Sequence, residues 1–369
     1  GKMVVGYTLM TPNELLNAMD MVPMHLDGLA VISVPVLRDS DEMFSLAKGF
    51  GLPPEMCSVH RTQIAMFLQG SVPCDVVVTG HHICDGSYKS GEALRQLYDV
   101  PGFVLDRPYR YSGSDTMYFA QELEDMVGFL ESVSGRKLER DRLSKSLMYS
   151  RRMMELHKEI YLLRRSIPCP SPNRQGSQLM FIGWLYTGTA EGVEYFETVL
   201  AELKERVARG AGYVPQERIR LLTVSPLPAH KWKLLGWMEQ ERGAVVAADP
   251  YCSHWGDVEW DDSQPFLTLA RKWMASPLNR QMHGPAELGW LPDTVGDARD
   301  HKVDGAIYWA HMSCTQGCAP IRLIRDNLRE ELDIPTLVLD MDVLDPSVAS
   351  EEELKDKLES FFERLEEEG

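Results

Sequence analysis

The stretch Asp75-Val-Val-Val-Thr-Gly-His-His-Ile-Cys-Asp-Gly-Ser-Tyr-Lys89 constrains this chain more than any other. Val76, Val77 and Val78 form a short apolar run closed by Thr79-Gly80, the pattern of a parallel strand buried on both faces. Asp85-Gly86 supplies turn chemistry, and Ser87 is placed to cap a helix that picks up at Ser90 and runs to Tyr98. Cys84 therefore falls between a strand's carboxyl end and a helix's amino end. Open α/β sheets gather their ligands there, and a thiolate is electrostatically favoured there.

The same alternation extends in both directions. Met3–Tyr7 reads as a strand, followed by a helix start at Thr11-Pro12; Leu29–Val34 reads as a second strand, and Gly102–Asp106 as another. Cys57 opens a helical pattern behind the loop Gly51-Leu-Pro-Pro-Glu-Met. Ser114 to Arg165 is helical with a break at Ser134-Gly-Arg136, and Ser166-Ile-Pro-Cys-Pro-Ser-Pro-Asn173 is a proline-rich linker. Beyond it, strands are expected at Arg218–Val224, Gly243–Asp249, Val303–Ala310 and Ile334–Asp340, with helices at Glu191–Val207, Lys231–Gln240 and Glu351–Glu367. Strands and helices that alternate through short loops imply parallel sheets with right-handed crossovers. The expected architecture is two α/β domains of flavodoxin/Rossmann-like type, with a helical layer between them. The boundaries are an N-terminal domain over 1–113, a helical segment and linker over 114–173, and a C-terminal domain over 174–369.

Composition narrows the function. A chain of 369 residues accommodates two ordinary domains, and 44% hydrophobic with 25% charged residues is a globular balance. A net charge of -17 argues against a general nucleic-acid binder. No apolar run approaches the ~20 residues that span a bilayer, so a cytoplasmic protein without membrane contact is expected. Gly1 in place of an initiator methionine implies a tag remnant or a missing leading segment. The cysteines are odd in number, 7, and scattered, which suits reduced thiols better than a secreted disulfide framework.

Four of them, Cys57, Cys84, Cys252 and Cys314, lie where a strand gives way to a loop or beside a helix start. There is no phosphate-binding glycine-rich loop, dinucleotide fingerprint or serine elbow to compete with sulfur chemistry. Cys57, Cys84 and Cys314 are either thiolate ligands of an iron–sulfur cluster or three small buried hydrophobes. His81, His82 and His311 keep a Cys/His zinc site open as a further reading. Ser58 either caps its helix or approaches such a centre, and Glu55 is an acid/base or an exposed loop carboxylate. Lys89, Arg107 and Arg110 are candidates to neutralise phosphates, or simply solvated cations.

Several motifs together resemble a known family: Val5-Gly-Tyr-x-x-x-x-Pro-x-Glu14, Pro-x-x-Cys57-Ser58, Asp75-Val-Val-Val…Cys84-Asp85-Gly86 with Lys89, Gly305-Ala-Ile…His311-x-x-Cys314, and Ile334-Pro335-Thr-Leu…Asp342…Asp345. In order and spacing they resemble the iron–sulfur subunits of 2-hydroxyacyl-CoA dehydratases, relatives of class I benzoyl-CoA reductase subunits and double-cubane cluster proteins. The resemblance implies that Cys57, Cys84 and Cys314 hold a [4Fe–4S] cluster with one iron left open. It further implies a lyase subunit that eliminates water from an (R)-2-hydroxyacyl-CoA through a ketyl radical. Glu55, Ser58 and His311 are the expected catalytic residues. The implied partners are a homologous second subunit, an ATP-dependent activator iron–sulfur protein and the acyl-CoA substrate. A benzoyl-CoA reductase-type subunit and a non-catalytic electron relay are the alternatives. Cys252 sits roughly where double-cubane proteins carry a further ligand, but Ala275-Ser-Pro277 stands where their extra cysteine pair is expected, which favours a single cluster. Cys318 is either an alternative ligand or a packed helix residue; Cys74 and Cys169 are expected to be structural.

Overall fold

The structure is a computed structural model, and it describes residues 1–9, 11–37, 40–282 and 284–368. Its strands are β1 (Val4–Tyr7), β2 (Val22–His25), β3 (Val76–Gly80), β4 (Gly102–Leu105), β5 (Ile219–Val224), β6 (Ala244–Ala248), β7 (Gly305–His311) and β8 (Thr336–Met341). They form two four-stranded sheets, ordered β2-β1-β3-β4 and β6-β5-β7-β8, and every pairing is parallel. Helices connect the strands, so the α/β class expected from the sequence is the class observed.

The chain divides into two compact units, each gathered from three stretches. Unit 1 takes 1–154, 181–194 and 255–284; unit 2 takes 155–180, 195–254 and 285–369. In each sheet the strand order reverses beside the first strand, between β1 and β3 and between β5 and β7. The carboxyl ends at such a reversal diverge and leave a crevice.

In unit 1, every residue of β3 is buried, as its valine run requires. The Asp85–Tyr98 helix lies close on that strand because Gly91 offers no side chain. A Cβ there would stand 2.2 Å from Thr79 Cγ2. A buried ion pair binds the three stretches of the unit together. Lys272 Nζ donates to Glu14 Oε1 and, at 3.1 Å, to Thr187 Oγ1, while Ser150 Oγ donates to the same carboxylate at 2.6 Å. The ammonium also lies over the Trp255 and Trp273 rings, 4.7 and 5.1 Å from their centroids.

The sequence misplaces one strand of this unit. Leu29–Val34 belongs to the helix Leu26–Leu37, and the second strand is Val22-Pro-Met-His25. An apolar run of that length has no periodicity to separate a buried helix from a strand. Pro23 disguises the true strand, which tolerates it because β2 is an edge. Further along, the break expected at Ser134-Gly-Arg136 separates two helices, Gly113–Ser134 and Arg140–Leu163. The first ends at Gly135 in the left-handed region, with φ 68°.

In unit 2, β5, β6 and β7 are buried throughout. One face of the sheet packs Ile219, Leu221, Ile307 and Trp309 against Leu354, Leu358, Phe361 and Phe362 of the Glu351–Glu368 helix. Trp237 of the Trp232–Gln240 helix stacks on Phe362. That terminal helix is acidic on one side only because its other side closes the core. No helix among the described residues is long and apolar enough to cross a membrane.

Candidate active site

Three cysteines occupy the same kind of position: each is the N-cap of a helix. Cys57 caps Ser58–Leu68, Cys84 caps Asp85–Tyr98 and Cys314 caps the single turn Thr315–Cys318. An N-cap side chain lies beside amide N–H groups that have no partner within the helix. A sulfur held there is favoured as thiolate. All three are partly exposed, and no disulfide links any of the seven cysteines. These positions correct two assignments made from sequence. Ser58 is the first helical residue and fully buried, and Ser87 is the third residue of its helix. The caps are the cysteines, because their extended backbones precede the first helical residue.

Cys84 follows β3, at the reversal in sheet order of unit 1. His60, one turn into the Cys57 helix, brings Nε2 to 3.3 Å from Cys84 Sγ. This approach requires Gly86, where a Cβ would lie 2.2 Å from His60 Cδ2. On the far side of the ring, Nδ1 lies 3.3 Å from Gln63 Oε1, 3.4 Å from Ser90 Oγ and 3.8 Å from Asp27 Oδ1. Asp27 is itself buried and accepts from the Leu9 amide at 3.0 Å, from Gln63 Nε2 at 2.8 Å and from Ser87 Oγ at 3.0 Å. The network therefore joins the segments that follow β1, β2 and β3.

Electrostatics follow from this geometry. Burial works against charge on both partners, but the Cys84 sulfur, then Asp27 and Gln63, outweigh it at His60 and push the imidazole up to about 9. Burial likewise raises Cys84, yet the His60 hydrogen bond and charge, with help from the Ser87 amide, bring the thiol below its ordinary value. The geometry therefore favours negative charge on the Cys84 sulfur and positive charge on the His60 ring. His60 and Asp27 were not singled out from sequence; the signals were the three-residue step from Cys57 and the glycine at 86.

In unit 2, Cys314 follows β7 at the equivalent reversal. Its Sγ accepts from the Gly317 amide at 3.3 Å. Ser313 Oγ donates to Asp342 Oδ2 at 2.6 Å, and Asp342 Oδ1 accepts the Leu344 and Asp345 amides. The Asp342…Asp345 motif thus moors the loop that carries Cys314. His311 is buried and donates Nε2–H to the Pro226 carbonyl at 2.7 Å; burial lowers its pKa, which keeps the ring neutral with Nδ1 as an acceptor.

The remaining candidates separate clearly. Cys318 Sγ donates to the His311 carbonyl at 3.1 Å, Cys74 Sγ to the Val76 carbonyl at 2.9 Å, and Cys169 is fully buried. Cys252 is buried in the short 3-10 turn Pro250–Cys252, 3.7 Å from Met180 Sδ; burial, reinforced by Asp249, holds its thiol well above the ordinary value. Glu55 lies on an exposed turn before Cys57. Lys89 and Arg110 are exposed, but Arg107 is not a solvated cation. It is 1% exposed, and burial lowers it to about 10, with Tyr111 offsetting only part of that cost.

Comparison with known proteins adds the chemical context. The profile of a family described as 2-hydroxyglutaryl-CoA dehydratase, D-component, matches residues 8–365. A subunit of the benzoyl-CoA reductase of Thauera aromatica is 25% identical, over 96% of this chain and 86% of that protein. The (R)-2-hydroxyisocaproyl-CoA dehydratase alpha subunit of Clostridioides difficile is 20% identical over 100% and 91%. The alpha subunit of the lactoyl-CoA dehydratase of Anaerotignum propionicum is 20% identical over 79% and 69%.

Proposed function

The chain belongs to the 2-hydroxyglutaryl-CoA dehydratase D-component family, and we propose that it is the iron–sulfur subunit of a radical (R)-2-hydroxyacyl-CoA dehydratase. The observation that carries this reading is the common placement of Cys57, Cys84 and Cys314, each at a helix N-cap and each partly exposed. That donor set suits a [4Fe–4S] cluster held by three thiolates. When bound, the cluster supplies one electron and an iron corner that lacks protein sulfur, so water can leave a substrate whose β-hydrogen is not acidic.

The chain's own residues prepare the ligands and the protons. His60 lowers the Cys84 thiol below its ordinary value, and the Ser87 and Gly317 amides favour negative charge on the Cys84 and Cys314 sulfurs. His311, with Nε2–H committed to Pro226, offers Nδ1 as a proton acceptor. Glu55, in the exposed turn ahead of Cys57, is the carboxylate assigned to proton exchange, and Ser58 is the buried first residue of the helix that carries His60. Lys89 and Arg110 are exposed cations suited to CoA phosphates. The relatives' designation as subunits supports a homologous second subunit; an ATP-dependent activator is the proposed electron source.

The second reading is a benzoyl-CoA reductase-type subunit, favoured by the 25% identity to that relative against 20% for the two dehydratases. Anaerobic purification decides the cofactor first. Brown protein with about four irons and four sulfides per chain is expected. Cys84→Ser and Cys314→Ser are each expected to lose most of that iron; colourless wild-type protein or fully retained iron in both variants refutes the assignment. Activated enzyme given an (R)-2-hydroxyacyl-CoA should then release an enoyl-CoA. Reduction of benzoyl-CoA without dehydration selects the second reading.

A further inference from the structure

Beside Cys84, but made of different atoms, is a cluster that the proposed chemistry does not use. His81 Nδ1 and His82 Nε2 lie 3.1 and 3.2 Å from one oxygen, Asp106 Oδ1. All three ligand atoms fall within 4.8 Å of one another. The side chains are 39%, 43% and 40% exposed, so an ion reaches them directly from solvent.

Two adjacent residues do not ordinarily present their side chains to the same point. In an extended strand they point to opposite faces. The exception here has a visible cause: His82 adopts the left-handed region, with φ 68°, which turns its ring back beside His81. The ring centroids are 3.9 Å apart. A non-glycine residue in that region is strained, and such strain collects at ligand clamps. The carboxylate is positioned as well. Tyr118 Oη donates to Asp106 Oδ2 at 2.8 Å, leaving Oδ1 for the imidazoles, and the Asp106 amide donates to Glu122 at 3.0 Å. The Tyr88 ring packs edge-on against His81.

The two distances to Asp106 fit coordination, and the imidazole nitrogens lie within 4.8 Å of each other. Ligands about 2.0–2.1 Å from a tetrahedral or octahedral ion stand roughly 3.0–3.4 Å apart along an edge. Two imidazole nitrogens and one carboxylate oxygen suit zinc or another first-row divalent ion, not the all-oxygen environment of calcium or magnesium. We propose that His81, His82 and Asp106 form a binding site for a divalent transition-metal ion at the carboxyl edge of β3 and β4, separate from the cysteine ligands and free of sulfur. Tyr118 is its positioning residue. The ion would fix the loop that leads into Cys84.

Cobalt(II) tests this on the full-length chain after removal of all bound metal by chelation. One equivalent should bind with ligand-field absorption and without the sulfur-to-cobalt charge-transfer band that cysteine coordination produces; zinc should displace it. His82→Ala and Asp106→Asn should each weaken binding at least about tenfold, and Tyr118→Phe should do so by about tenfold through the loosened carboxylate. Cys57→Ser and Cys84→Ser should leave it unchanged, which makes the result independent of the iron–sulfur assignment. Unfolding midpoints of the variants check that they fold. The proposal is overturned by no cobalt bound, by a charge-transfer band that disappears in the cysteine variants, or by Asp106→Asn binding like the parent. In those cases the two imidazoles only share a hydrogen bond to one carboxylate.

Discussion

In unit 1 the thiol that follows the third strand of the sheet faces a buried imidazole; in unit 2 the corresponding thiol faces a backbone amide. The two sheets have the same strand order, and Cys84 and Cys314 cap helices at the same point of it. What differs is how the charge of the sulfur is met. Cys84 has a long helix and His60, whereas Cys314 has one helical turn and depends on a loop moored by Asp342. One topology therefore supplies the position of a cysteine at a helix N-cap, and local residues bias its protonation.

The units also differ in how they are pinned inside. In unit 1 the fully buried pair Glu14–Lys272 joins residues 258 apart in sequence, whereas the buried Glu217–Arg220 pair of unit 2 is a local i,i+3 contact. Lys272→Met leaves the Glu14 carboxylate buried without its cation. A loss of about 3–5 kcal/mol in urea unfolding of unit 1 is expected. Adding Glu14→Leu should recover much of it. Glu217→Gln should cost markedly less, and an equal loss would erase this contrast.

A second contrast is in pH. Burial raises Asp297 to about 7 and Asp249 to about 6 in unit 2, with neighbouring groups only partly offsetting it. Carboxyls raised in this way hold protons that the unfolded chain has released. Their contribution is complete below the unfolded carboxyl range and is lost as pH rises through about 6 to 7. Asp297→Asn, which keeps a partner for the Tyr161 hydroxyl now bonded to Asp297 at 2.5 Å, removes one such proton. The fall in unit 2 stability between about pH 4 and 7 should then be shallower by up to about 1.4 kcal/mol per pH unit, measured by denaturant unfolding across that range.

The smallest effect concerns the thiols themselves. In cluster-free protein, His60→Ala should slow alkylation of Cys84 at neutral pH, because the thiol returns toward its ordinary range, and leave Cys314 unchanged. Mass spectrometry of the labelled peptides separates the two sites. Equal slowing at both would mean that His60 acts through the fold and not through its contact with sulfur.

Much of this was legible in the sequence, for reasons that differ by element. Buried strands such as β3 and β7 declare themselves as unbroken apolar runs between turn residues. Cys84 and Cys314 stand where such runs end, and Cys57 stands at a helix start behind two loop prolines. β2 was hidden because an edge strand tolerates Pro23, and the neighbouring helix was too uniformly apolar to show a period. The Asp27–His60–Cys84 network was not legible, since it depends on three separate elements meeting at one ring. Arg107 looked like any loop arginine, and only packing reveals that it is enclosed. His81 and His82 were visible, but not the backbone turn at His82 that sets them both against Asp106.

The interleaved origin of the units bears on how the chain is made. Glu14 leaves the ribosome early, and the lysine that neutralises it emerges 258 residues later. Until then unit 1 has neither its last stretch nor its counter-ion, so its closure waits on the appearance of Lys272. Cutting the gene at any single point between the sheets would sever one unit or both; obtaining unit 1 on its own would require joining all three of its stretches, 1–154, 181–194 and 255–284.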